Sequence, residues 1–131
     1  MFNLQFYTGS GWSPDPADSA PLLGDVGASY SVTKVDGEYV LATTDSYLDP
    51  QIYLYTAPTP AGPFSGGTEI YTPPQASAGD IYTYNVAAHP ELTSPGRLVL
   101  SYNVNSSELS DIYANINNNR ARFITVDFSR R

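Results

Sequence analysis

Residues 28–46 read ASYSVTKVDGEYVLATTDS, and residues 87–105 read AAHPELTSPGRLVLSYNVN. With Gly37 set on Gly96, at an offset of 59 residues, Leu41 falls on Leu100, Val40 on Val99 and Val35 on Ser94. Both stretches have the form of a β-hairpin. A run of alternating and β-branched residues leads into Asp36-Gly37 or Pro95-Gly96, and a second run returns. Asp-Gly and Pro-Gly are turn dipeptides because glycine takes positive φ without steric cost.

Working outward, residues 51–57 (QIYLYTA) and 68–72 (TEIYT) read as the third and outer strands of a first unit, with a turn at residues 58–64. Residues 82–92, 97–105 and 121–128 read as the strands of a second unit, with a polar loop at 106–119 anchored by Ile112 and Tyr113. Upstream, residues 2–8 alternate as a strand. Residues 9–20 form a loop anchored by Trp12, and a short strand is expected at Pro21–Leu23. Pro14, Pro16 and Pro21 break the one segment that could compete as a helix. The fold class is therefore all-β. A strand-only repeat of this length predicts stacked four-stranded sheets, a partial β-propeller of about two blades. The expected layout is a single domain, 1–131: terminal strand and loop 1–24, complete blade 25–79, incomplete blade 80–131.

Composition narrows the function. There are 13 acidic residues against 6 Lys and Arg, a formal charge of −7. That is the wrong sign for neutralising phosphates, so no nucleic-acid partner is expected. No apolar run approaches the length of a membrane span. With no Cys, disulfides and thiolate metal sites are out. The first residues lack a basic start and an apolar core, so no signal peptide is read there. No P-loop, G-x-S-x-G or H-E-x-x-H motif occurs.

The residues SVTKVDGEYVLATTDS followed by IYLYTAPTPAGPF resemble a blade of the five-bladed propeller glycosidases, the furanosidase-like enzymes of glycoside hydrolase family 43. Asp36-Gly37-Glu38-Tyr39-Val40-Leu41 and Gly62-Pro63-Phe64 carry the match. The segments TYNVAAHPELTSPGRLVLSYNVNS, GSGWSPDP and ARFITVDF resemble uncharacterised, mostly secreted bacterial proteins with the same propeller fold. The resemblance covers the second half of such a protein. It implies a carbohydrate-active scaffold. Most of the blades that carry the family's catalytic carboxylates are absent here, so the chain alone is expected to be inactive. The alternative class is a non-catalytic, self-assembling binding module.

Hairpin geometry places one candidate site. The start of each first strand and the end of each second strand share a rim, opposite the Gly37 and Gly96 turns. On that rim the reading puts Tyr30, Thr44, Asp45, Tyr84, Asn85, His89, Glu91, Asn103 and Asn105. Tyr30, Tyr84, Asn85, His89, Asn103 and Asn105 are the expected substrate contacts, since rings stack on sugars and amides pair with hydroxyls. By the 59-residue offset His89 matches Tyr30, and Glu91 two residues on shares its strand face. A carboxylate beside an imidazole tunes it for acid–base work. Asp45, Glu91 and His89 are the catalytic candidates, although two carboxyls must flank one glycosidic bond. The bland readings are a hydrogen-bonded channel histidine and a turn-closing Asp45. Tyr39, Tyr53, Tyr55 and Tyr102 read as inter-blade core. Asp15, Asp18, Asp80 and Asp111 lack EF-hand spacing. No cofactor or metal is expected, with a Ca²⁺ ion at the propeller axis the one alternative. Finally, strand 2–8 has no hairpin partner in this scheme, and Tyr39, Leu41, Tyr53, Leu98, Leu100 and Phe123 together make a large apolar surface. The expected partner is a second copy, in a homodimer or small ring, with an oligosaccharide as the other partner.

Overall fold

The computed structural model describes residues 3–24, 26–45, 50–77, 79–92 and 94–128. Phe2 and Ser46, the ends of two expected strands, lie outside the described residues. The elements run β1 (Phe6–Tyr7), β2 (Trp12–Ser13), β3 (Tyr30–Val35), β4 (Glu38–Thr44), β5 (Ile52–Ala57), β6 (Ser65–Tyr71), β7 (Ile81–Ala88), β8 (Arg97–Ser106), α1 (Leu109–Ala114) and β9 (Arg120–Asp127). They form three antiparallel sheets: a β1-β2 ribbon, a first sheet β3-β4-β5-β6 and a second sheet β7-β8-β9. The chain is all-β with little helix.

Local chemistry explains the hairpins. Asp36 and Gly37 both have positive φ, 49° and 100°, as a two-residue type I′ turn requires. Their mirror-image twist matches the strands they join. The second hairpin closes differently. Arg97 N–H donates to Ser94 O at 2.9 Å, with Pro95 and a positive-φ Gly96 between them, the arrangement of a type II turn. Pro90 starts a 3₁₀ turn over Pro90–Leu92 before it. That extra turn shifts the register. Ser31 pairs with Ala42 and Ala87 pairs with Ser101. The second strands thus stay 59 apart while the first strands are 56 apart.

Strand alternation sets the packing. Val40, Ala42, Ile52 and Leu54 of the first sheet pack with Leu98, Leu100, Tyr102 and Val104 of the second in one core. Leu98 and Leu100 are fully buried. The opposite face of the first sheet buries Leu41, Ala57 and Phe64 with Leu23, Tyr39 and Tyr55 against them. Gly67 is needed beneath Tyr55, whose ring would sit 2.5 Å from an added Cβ. The strands β3 and β7 lie side by side: Ala88 N–H donates to Ser31 Oγ at 2.7 Å.

Four expectations change. The N-terminal strand is partnered, since Phe6 pairs with Ser13 and Tyr7 with Trp12. The ring of Trp12 stays 60% exposed and meets Tyr7 edge-on at 5.4 Å. No strand forms at residues 21–23. Leu98 and Leu100 do not share a face with Phe123, because β9 residues alternate and Phe123 points outward at 59% exposure. The polar loop contains α1, started by Ser106 Oγ, which accepts from Glu108 N–H and donates to Asp111. In it Ile112 is half-buried but Tyr113 is exposed.

Candidate functional site

The register separates the expected site residues. His89 N–H donates to Val99 O at 2.9 Å, and Thr33 pairs with Val40. Since Val99 is the repeat mate of Val40, His89 matches Thr33, not Tyr30. It stands toward the Gly96 turn, away from the expected rim. Glu91 has left the strand altogether and lies in the Pro90–Leu92 turn. The cause is the three-residue longer connection, which no fixed offset can detect.

The faces divide the rest. Tyr30 is exposed and lines an apolar groove of about 480 Å³ with Phe6, Tyr7, Leu22, Leu23 and Leu41. That groove lies on the N-terminal side of the first sheet. Alternation puts Asp45 on the same side, whereas Thr44 is buried toward the second sheet. On the far side of the second sheet, Tyr84 pairs with Asn103 and Tyr82 with Asn105. The Tyr82 and Tyr84 rings lie 5.7 Å apart. Asn105 Oδ1 accepts from Ser106 N–H. Between Tyr84 and Ala87 the β7-β8 ladder slips, and exposed Asn85 there has φ of 59°. Asparagine is among the few residues that tolerate this backbone.

Further along that face lies a cluster reached only in part by the sequence reading. His89 Nε2 is 2.7 Å from Ser101 Oγ, and Nδ1 is 3.1 Å from Glu91 Oε1. The imidazole meets the Phe123 ring at 5.5 Å, and Phe123 pairs with Ser101 across β8 and β9. The Glu91 carboxyl is held below its usual range by its own backbone N–H and then by His89. His89 and Glu91 thus meet at the other end of the hairpin, across the Pro90–Leu92 turn and not on one strand face. Ser101 was missed. Its signal was the repeat itself, which sets Ser101 on Ala42. Among the described residues no group of three His, Cys, Asp or Glu side chains could hold a metal ion.

Residues 2–128 match the model of the family described as domain of unknown function DUF5005. The chain belongs to this family. No curated protein matches it in sequence. The DUF5005 chain superposes on the crystal structure of a candidate hydrolase from Bacteroides ovatus ATCC 8483 with a TM-score of 0.69. The identity is 20%, over 91% of this chain and 34% of that one. At that identity the likeness is one of fold. The DUF5005 chain spans about a third of the length of that protein.

Proposed function

We propose that this DUF5005 chain is part of a hydrolase-type β-propeller, akin to the furanosidase-like propellers, and that the far face of its second sheet binds an oligosaccharide. The observation that carries the reading is the row Tyr82, Tyr84, Asn103 and Asn105 on one sheet face. Two rings offer flat apolar faces with polar tips. Two amides beside them supply donors and acceptors for hydroxyls. The 59-residue repeat and the adjacent strands β3 and β7 support the propeller part. So does the fold likeness to a chain nearly three times the length that this one matches. A Ca²⁺ ion at the propeller axis belongs to the same proposal.

Glycoside cleavage by this chain alone is not expected. Asp45 lies five residues beyond Val40, just past the end of β4; Val40 is the repeat mate of the residue to which His89 bonds. At the usual rise this separates Asp45 from the Glu91 end by on the order of 17 Å. Flanking carboxyls need about 5–9.5 Å.

Titration of the intact chain with arabino- and xylo-oligosaccharides, read by calorimetry, tests the reading. Tyr84→Ala and Asn103→Ala should each weaken binding about fivefold, the loss of about 1 kcal/mol per contact. Binding unchanged in both variants would refute it. The second reading, a self-assembling module, is favoured by the exposed Phe123 beside the outer strand β9. A homodimer or small ring would show in light scattering, and a stable monomer at micromolar concentration would exclude it.

A further inference from the structure

The His89 cluster has an order that its chemistry dictates. An ionised carboxylate only accepts hydrogen bonds, so Nδ1 carries its proton toward Glu91. The neutral imidazole then presents Nε2 as an acceptor, and Ser101 Oγ–H is its donor at 2.7 Å. Nucleophile, base and orienting carboxylate stand in sequence, as in hydrolases that form acyl-enzymes. The fold does not require this set. At the repeat positions the first sheet has Ala42 and Thr33. Ser101 is 9% exposed beside the open Phe123 ring. Its partner Ala87 directly follows the slip in the β7-β8 ladder. A bulge takes a backbone group out of the ladder, and such a group can serve as an oxyanion donor.

We propose that Ser101, His89 and Glu91 form a nucleophilic site that hydrolyses acyl esters of sugar hydroxyls. Asn103 lies two residues from Ser101 on β8, about 7 Å along the strand and on the same face. The sugar part of the substrate therefore rests on the glycan reading above; the nucleophile does not. Ser101 Oγ attacks the ester carbonyl carbon as its proton passes to His89 Nε2. The bond from that carbon to the sugar oxygen breaks, and the oxygen leaves with the proton from His89. Water then attacks the acyl-serine, giving a proton to His89. The bond to Ser101 Oγ breaks, the carboxylic acid departs, and Ser101 regains its proton. The Glu91 carboxylate stays ionised throughout and holds the imidazole; it is a positioning residue. Phe123 forms the wall for the acyl group.

The test treats the intact chain with a fluorophosphonate probe, read by intact mass and peptide mapping, and follows p-nitrophenyl acetate hydrolysis. Ser101→Ala and His89→Thr copy the residues that the first sheet accepts, so both should melt within a few degrees of the parent. The expected result is one adduct, on Ser101, absent from Ser101→Ala and formed at least 100-fold more slowly in His89→Thr. Glu91→Gln should slow labelling about tenfold and shift its pH profile, and Glu91→Asp should restore part of the rate. No adduct on the parent chain, or ester turnover equal in Ser101→Ala, would overturn the proposal. Labelling without oligosaccharide binding would overturn the glycan assignment and leave the nucleophile standing. Binding without labelling would do the reverse.

Discussion

Truncating Leu100 and Phe123 separately asks which face of the second sheet is core. The two residues stand on neighbouring strands, and both are large and apolar. Leu100 is 0% exposed and Phe123 is 59% exposed. Leu100→Ala removes a side chain enclosed between two sheets, so it loses transfer energy and leaves a cavity. The expected cost is about 2–5 kcal/mol, toward the upper half because both sheets constrain the site. For Phe123 about two-fifths of a side chain of roughly 150–250 Å² is covered. That is roughly 60–100 Å², or at most about 2.5 kcal/mol at about 25 cal/mol per Å². The true figure is lower, since the unfolded chain already covers some of that surface and an open site leaves no cavity. Urea unfolding by tryptophan fluorescence and far-UV circular dichroism measures both. The midpoint should fall clearly for Leu100→Ala and slightly for Phe123→Ala, with little change in the slope. Equal losses, or a larger loss for Phe123→Ala, would refute the assignment of faces. The proposed site on the Phe123 face would fall with it.

Two further outcomes follow from the same core. Thr83 is buried, and its hydroxyl has no hydrogen-bond partner among the described residues, so Thr83→Val should stabilise the fold by about 1 kcal/mol; a loss of stability in the same urea assay would show that the hydroxyl is satisfied. Burial, and then the neighbouring Tyr71 phenol, raises the Tyr102 phenol well above its ordinary value; its hydroxyl donates to Gln75 Oε1 at 3.1 Å. A raised folded-state value means the folded chain holds this proton more tightly. Its contribution is complete below about pH 10, the unfolded phenol's range, and is lost as pH climbs beyond it. Tyr102→Phe should flatten that alkaline loss in melting curves taken from pH 8 to 11, and an unchanged slope would contradict the cause given.

The strands were legible in the residues because the information is local. Alternation, β-branching and turn dipeptides mark β3 to β9 to within a few residues, and Asp36-Gly37 names its own turn type. The repeat was legible too, since Leu41 and Leu100 hold equivalent places on second strands of equal phase. The β7-β8 pairing sets Tyr84 opposite Asn103 and Asn105 opposite Tyr82, while Asn85 falls in the slip of that ladder.

What only the tertiary structure decided was register and face. The connection after His89 is three residues longer than its counterpart, and the ladder slips at Asn85. Each irregularity moves side chains without altering composition or periodicity. They carried His89 from the expected rim to the turn end and set it over Ser101. Which face of each sheet is core was likewise undecidable locally. Leu100 and Phe123 look alike in a strand, and only the first sheet's position against β8 buries one and leaves the other open. Hydrogen bonds between residues such as His89 and Ser101 form across strands, so their partners are fixed by pairing and not by distance along the chain.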